Sequence, residues 1–236
     1  MLLALAASLA LTACGGDDEP TAPRAPARTD TTTGPAGAKI TAEAVLRAAD
    51  LPNGWASALR EDLREQSDCA AFKEARAASS AHVLSRTFSH SSEGSVSQTV
   101  YLYDDEQQAR GLYRKLVSLE TRKCRGLFTR DRLKRLFKTN IKAGDVGSSE
   151  PPLDPAGDES HAVRITVDYT RSKRSRRLRQ DLIFVRVGRG ISISSFINET
   201  QPFDKQLRAR LTRTAARKLS AALALGGGDE RLAPSA

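Results

Sequence analysis

The chain has 236 residues, of which 39% are hydrophobic and 28% charged, with a formal net charge of +9. Beyond the first thirteen residues no apolar run is long enough to cross a bilayer as a helix, which excludes a protein that spans the membrane with helices. The three cysteines include no CxxC pair, which excludes a thioredoxin-type redox motif and a zinc knuckle.

Residues 1–13, MLLALAASLALTA, carry no charge and have the length of a signal-peptide apolar region. They lead into Leu11-Thr12-Ala13-Cys14. That stretch resembles the lipobox of bacterial lipoproteins, an aliphatic residue and two small ones before an obligatory cysteine. Small residues let the extended chain enter the signal peptidase cleft. The resemblance implies that Cys14 carries a diacylglyceryl group, is the N-terminus after cleavage, and anchors the chain on the outer face of the cell membrane. Residues 14–40 are Gly, Pro, Thr, Ala and charges with little that is large and apolar, so a disordered tether is expected there. Residues 226–236 read as a flexible tail. Residues 41–225 are long enough for one domain with its own core. Arg outnumbers Lys 27 to 10, a bias typical of a GC-rich genome.

Within that domain, Thr41 is placed to cap a short helix carrying Val45, Leu46 and Ala49. Pro52-Asn53-Gly54 ends it in a turn, and Trp55 follows as a core anchor. DCAAFKEARAASS predicts a second helix with Asp68 as its cap. AHVLSRTFSHSS and SVSQTVYLYDD alternate apolar and polar residues about Glu93-Gly94, which predicts a β-hairpin with Val83, Phe88, Val96, Val100 and Leu102 in the core. DDEQQARGLYRKLVSLETRKC predicts one long helix. Asp104 and Gln107 have capping-box spacing, and Ala109, Leu112, Tyr113, Leu116 and Val117 form one apolar stripe. The stripe continues through residue 120, which turns Cys124 inward. RLFKTNIKAG predicts a strand with Phe137 and Ile141 inward, and VGSSEPPLDPAGD a loop. HAVRITVDYT and DLIFVRVGRGISISSFI predict three strands of an antiparallel meander, turning at Gly188-Arg189-Gly190. PFDKQLRARLTRTAARKLSAALALGGG predicts a long amphipathic helix, with Phe203, Leu207, Leu211, Ala215, Leu219 and Leu223 recurring at i+4 and Pro202 in its first turn. The expected class is α+β, a twisted antiparallel sheet with helices on one face.

With Cys14 lipidated, Cys69 and Cys124 remain, and an even pair in an exported domain reads as a disulfide. Candidates for chemistry are sparse. The sequence holds no GxSxG, HExxH, SxxK or P-loop, and the three histidines, His82, His90 and His161, fall at strand ends. Asp104-Asp105 read as helix capping, Glu61-Asp62 as neighbours on opposite faces of a strand, and Asn198-Glu199-Thr200 as a formal glycosylation sequon in a bacterial chain. No catalytic residue, metal or cofactor is expected.

The order LPNGW, DCAAF, YLYDDEQQA, a helix closing on KC, GDESHAVRI, VRVGRGISI and a final helix resembles the extracellular sensor domain of PknH-type mycobacterial Ser/Thr kinases. It is also similar to actinobacterial lipoproteins that carry this domain without a kinase. The resemblance runs over roughly residues 43–224. It implies a PsbP/Mog1-like fold with a cleft for a small ligand, and two disulfides, of which this chain has cysteines for one.

Two functional readings follow. In the first, a lipid-like or anionic small molecule sits in the cleft, lined by residues such as Tyr101, Tyr103, Tyr169 and Phe196, and the protein is a sensor or carrier. In the second, the protein is a non-catalytic envelope scaffold. Its docking surface is RSKRSRRLR, residues 171–179, expected as an exposed hairpin loop bearing Arg171, Lys173, Arg174, Arg176, Arg177 and Arg179. Outside the cell its partners are anionic headgroups or envelope polymers rather than nucleic acid. Arg122, Lys123, Arg125, Arg130, Arg132, Lys134 and Arg135 make a second basic cluster.

Overall fold

The computed structural model describes residues 35–58, 68–137 and 141–226. Cys14, Glu61-Asp62 and the tail therefore lie outside the described residues. Among those described, eight strands form one open antiparallel sheet: β1 (Ala56–Ala58), β2 (Ala81–Leu84), β3 (Thr87–His90), β4 (Gly94–Leu102), β5 (Ile141–Ser149), β6 (Glu159–Arg171), β7 (Arg174–Val187) and β8 (Gly190–Asn198). The order is β1-β3-β4-β8-β7-β6-β5, and β2 shares the outer flank of β4 with β3. The expected hairpin and meander are thus present, with the β2–β3 run interrupted at Ser85-Arg86. At the β3–β4 turn Gly94 has φ +101°, and a Cβ there would stand 2.0 Å from the Ile197 carbonyl oxygen. Glycine is the residue that fits both demands.

The layering departs from expectation. Alternate residues of β7 go to opposite faces, as a strand requires. Leu182 and Phe184 join one core with Tyr103, Leu112, Leu116 and Leu133. Ile183 and Val185 join another with Phe196, Phe203, Leu207 and Leu211. Helices α2 (Ala70–Ala77), α3 (Glu106–Leu116) and α4 (Leu119–Phe137) supply the first core, and α5 (Lys205–Gly226) the second. Helix α1 (Pro35–Ala44) packs with α5 through Ile40, Ala44 and Leu219. Helices therefore cover both faces rather than one. The strand β7 is apolar on both sides over Leu182–Val185, and each side must leave water; burying such a side chain stabilises by about 1.5–3 kcal/mol.

Several boundaries also move. The helix expected from Thr41 begins at Pro35, six residues inside the expected tether, because Ile40 is buried against α5. Thr41 sits inside that helix and its hydroxyl donates to the carbonyls of Gly37 and Ala38. The long helix from 104 divides into α3 and α4. Ser118 Oγ accepts from Thr121 N at 3.2 Å, and Thr121 Oγ1 donates to Lys115 O at 2.7 Å. One residue pair thus satisfies an orphan donor of α4 and an orphan carbonyl of α3. The cap of α3 is Asp105, which accepts from Gln108 N, so the expected box is offset by one. Finally, α4 runs on to Phe137 where a strand was expected. Its inward positions Thr121, Arg125, Phe128, Thr129 and Leu133 keep helical period along the sheet. Asp204, rather than Pro202, begins α5, its carboxylate accepting from Leu207 N at 2.6 Å.

Buried charge is paired in two places. Asp181, 2% exposed, accepts two bonds from Arg164 and one from Arg208, itself 5% exposed. The buried Arg186 bonds Glu159 at 2.8 Å, Asp158 at 3.1 Å and Glu106 at 3.2 Å. No helix among the described residues is long and apolar enough to cross a membrane.

Candidate functional site

On the α2–α4 side, the described residues leave the helical cover incomplete over β4 and β8, and a cleft of about 190 Å³ opens there. Its floor is polar where the rest of this face is apolar. Ser95, Ser97 and Thr99 of β4 stand opposite Ile197, Ser195 and Ile193 of β8. Towards β6, the same face carries Val163, Ile165 and Val167 under cover. The cleft walls are Phe72, Lys73 and Arg76 of α2 and Arg125 and Arg132 of α4. A second chamber of about 340 Å³ shares Ser95, Arg132, Gln180 and Ile197 with it and extends beneath Leu133, Leu136 and Phe137.

The disulfide expected from the cysteine count joins Cys69, at the start of α2, to Cys124 on α4, with Cα atoms 5.8 Å apart. It pins the two walls together. The expected route was a continuous helix turning Cys124 inward. The pairing forms although that helix breaks at Val117-Ser118, because α4 itself carries Cys124 to α2. Cys69 occupies the N-cap position of α2 that the sequence assigned to Asp68. Asp68 is instead at the cleft rim, 3.2 Å from Lys73.

Arg125 is the unusual residue of the site. It is 8% exposed, and its guanidinium lies 5.1 Å from the Phe72 ring centroid and 5.0 Å from that of Phe128. Its Nε is buried without a hydrogen-bond partner. Among the described residues no carboxylate pairs with it, in contrast to Arg186 and Arg208. Burial, and then the nearby Arg132 guanidinium, lower its pKa to about 10, so it is still a cation at neutral pH. Beside it, burial pushes the Tyr101 phenol up to about 12, against the opposing pull of Arg76 and Arg125. Tyr101, 7% exposed as a residue, therefore lines the cleft with its phenol protonated. Ser97 and Thr99 hydroxyls make no side-chain hydrogen bond among the described residues, while Gln180 Nε2 donates to Ser195 Oγ at 2.8 Å and Gln180 Oε1 accepts from Thr129 at 3.0 Å. The arrangement presents hydrogen-bond donors and positive charge.

Of the aromatic residues expected to line a cleft, Tyr101 does. Tyr103 is buried beneath α2 and donates to Ala75 O. Tyr169 donates to Glu199 and stacks on Phe137, and Phe196 faces the opposite core against Phe203. Both faces of the sheet being covered, these side chains close cores. His82 lies on the cleft beside Tyr101, His90 packs 5.8 Å from Trp55, and His161 stands 3.9 Å from Glu150. Asn198 of the sequon is 4% exposed and its carbonyl accepts from Thr200 N and Gln201 N, so it caps a turn.

The basic segment 171–179 is not a loop. Only Ser172 and Lys173 turn, with φ 50° and 63°, and Arg174–Arg179 belong to β7. The strand alternation divides its charges. Arg171 lies over Phe137 at 4.3 Å and shares that face with Arg174 and Arg176, whereas Arg177 is bidentate to Asp168 on the other face, with Arg179. The second basic cluster is also divided around α4. Arg122 pairs with Glu150, and Arg130 and Lys134 with Asp131, while Arg125 and Arg132 turn into the cleft.

Sequence reasoning thus missed the cleft floor and treated Arg125 as one of a surface cluster. Two signals were present. SVSQTVY puts Ser or Thr at each position opposite a core residue, and Arg125 occupies the inward stripe of α4 where an apolar residue belongs.

Neither family models nor curated proteins yield a match to this chain. Among solved structures it is similar to the extracellular domain of PknH from Mycobacterium tuberculosis, with 10% identity and a TM-score of 0.39 over 79% of this chain and 96% of that one. It is also similar to PA94, a protein of unknown function from Pseudomonas aeruginosa, with 14% identity and a TM-score of 0.19 over 66% of this chain and 84% of that one. At these values neither likeness says what this chain binds.

Proposed function

We propose that this chain is a lipid-anchored extracytoplasmic protein whose α+β domain binds a small ligand in the cleft between α2–α4 and the β4–β8 strip, as a sensor or carrier. The observation that carries the reading is that, among the described residues, the helical cover leaves a gap over a hydroxyl-bearing strip in a sheet whose two faces otherwise carry buried cores. The Cys69–Cys124 disulfide supports an oxidising compartment. The lipobox-like LTAC supports anchoring at Cys14, and the motif order resembles a sensor domain. The reading is of a binder, not a catalyst.

The test is native mass spectrometry of the chain exported to an oxidising compartment and purified without detergent. A discrete added mass, lost on denaturation and absent from a Ser195→Trp variant that fills the cleft, supports the reading. A retained mass in the folded variant refutes the site. For the anchor, Cys14→Ser is expected to abolish incorporation of a labelled fatty acid.

A second reading is docking on anionic headgroups or envelope polymers. Lys173, Arg174 and Arg176 are exposed at the β6–β7 turn, and among the described residues none pairs with a carboxylate. Replacing Lys173, Arg174 and Arg176 by Gln abolishes sedimentation with phosphatidylglycerol vesicles if this ribbon docks, and leaves cleft binding intact.

A further inference from the structure

The cleft has two chambers of different chemistry. At one end, the buried Arg125 and Tyr101 line the cleft together with Ser97 and Thr99. Every one of these groups donates or carries positive charge. Among the described residues the carboxylate at that end is Asp68, on the rim and 3.2 Å from Lys73. A buried guanidinium without a counter-ion is costly, and this fold shows the usual remedy twice, at Arg186 and at Arg208. Arg125 has aromatic rings on two sides and, among the described residues, no anion. The other end is richer in apolar side chains, Leu133, Leu136, Phe137 and Leu178, beside Thr129, Gln180 and a Glu199 carboxylate that accepts from Tyr169. Leu136 is 41% exposed there, a large apolar side chain facing open space. Ile197 and Arg132 border both chambers, so one molecule can occupy the two together.

We propose that the ligand is an anionic amphiphile, with a phosphate or carboxylate head held by Arg125 and Tyr101 over the Ser97–Thr99 floor and a hydrocarbon tail along Leu133, Leu136 and Phe137. The assignment rests on the cleft-binding reading above and adds the chemical class. The head site suits either head group, because a guanidinium fork donates bidentately to both. The tail chamber distinguishes an amphiphile from a free anion.

The experiment is calorimetric titration of the disulfide-bonded chain, below micelle concentrations, with dodecyl phosphate, dodecanoate, dodecyl maltoside, dodecyltrimethylammonium and inorganic phosphate. The expected result is saturable binding of one dodecyl phosphate or dodecanoate, each displacing the other. Inorganic phosphate and the neutral and cationic amphiphiles are expected to bind at least about tenfold more weakly. Arg125→Met should weaken dodecyl phosphate by about tenfold or more while leaving the thermal midpoint equal or higher, since an unpaired buried charge is removed. Leu136→Ser should weaken dodecyl phosphate and leave inorganic phosphate unchanged.

Equal binding of the maltoside, or an unchanged affinity in Arg125→Met, overturns the anionic class while the cleft reading survives if Ser195→Trp still blocks binding. Equal affinity for inorganic phosphate and dodecyl phosphate makes the site one for a free anion and overturns the amphiphile. A large drop in the midpoint of Arg125→Met means that the guanidinium already has a structural partner in the chain, and overturns the head-group role. If no probe binds and no cargo co-purifies, the cleft reading falls with it.

Discussion

Cys69 and Cys124 are 55 residues apart in sequence, and their bond is the covalent link between α2 and α4. Replacing both by Ala removes that closed loop from the unfolded ensemble's constraints. The chain-entropy relation gives about 4 kcal/mol of lost stability for a loop of this size. Ala is chosen because Cys69 is 2% exposed, and Ser would bury a hydroxyl there. For a domain of this length about 4 kcal/mol corresponds to a fall in thermal midpoint of roughly 8–16 °C. Scanning calorimetry and urea denaturation followed by far-ultraviolet circular dichroism measure it. Either single replacement should cost about as much as the double, since each breaks the same loop. The cleft should suffer as well, because Phe72 and Arg125 are carried on the two stapled helices. A double variant that keeps its midpoint within a degree or two refutes the reasoning, because the helix pairing would then be held by packing alone.

Three further outcomes follow from buried charge, backbone geometry and burial of an imidazole. Asp181→Asn leaves Arg208 buried without its anion and should cost about 3–5 kcal/mol in urea denaturation, whereas Asp168→Asn at the exposed Arg177 pair should cost less than about 1 kcal/mol; similar losses would show that burial is not what matters. Gly94→Ala should cost about 1–3 kcal/mol or more, since its φ of +101° and the Ile197 oxygen both exclude a Cβ, and a neutral result would mean that the β3–β4 turn relaxes freely. Burial lowers the His161 pKa from its ordinary 6.5, against the opposing pull of Glu150. The unfolded chain then takes up the proton first as pH falls. The stability linked to His161 is thus present above about pH 6.5 and lost as pH drops towards the folded pKa. Denaturation at pH 7.5 and 5.5 should show a smaller decline for His161→Gln than for the parent chain, and an equal decline would refute the linkage.

The amino-acid sequence by itself determined the elements whose pattern is dense and local. The strands of β6, β7 and β8 alternate or run apolar between turn residues, and the α5 stripe from Phe203 to Leu219 repeats at i+4 over four turns. It also determined the antiparallel α+β class, since short turns permit no other pairing of those strands. The cysteine count and the lipobox-like LTAC were enough to expect the disulfide. The sequence did not determine the layering. Ile183 and Leu182 are neighbours that serve opposite cores, and only the packed helices reveal that both faces are covered.

The candidate site depended on tertiary structure almost entirely. A Ser in an alternating strand reads as a solvent-facing residue, and Ser97 lines a cleft only because the described helices leave that strip open between two walls. Arg125 belongs to a run of basic residues that looks uniform along the chain. Helical rotation separates them, so that Arg122 meets Glu150 at the surface while Arg125 enters between Phe72 and Phe128. Likewise, a strand's two-residue period divides the charges of 171–179 between faces, although in sequence they form one block. Spacing along the chain specifies which residues share an element. Which of them lack a counter-ion depends on what every other element brings to the same place, and that is decided only when the domain closes.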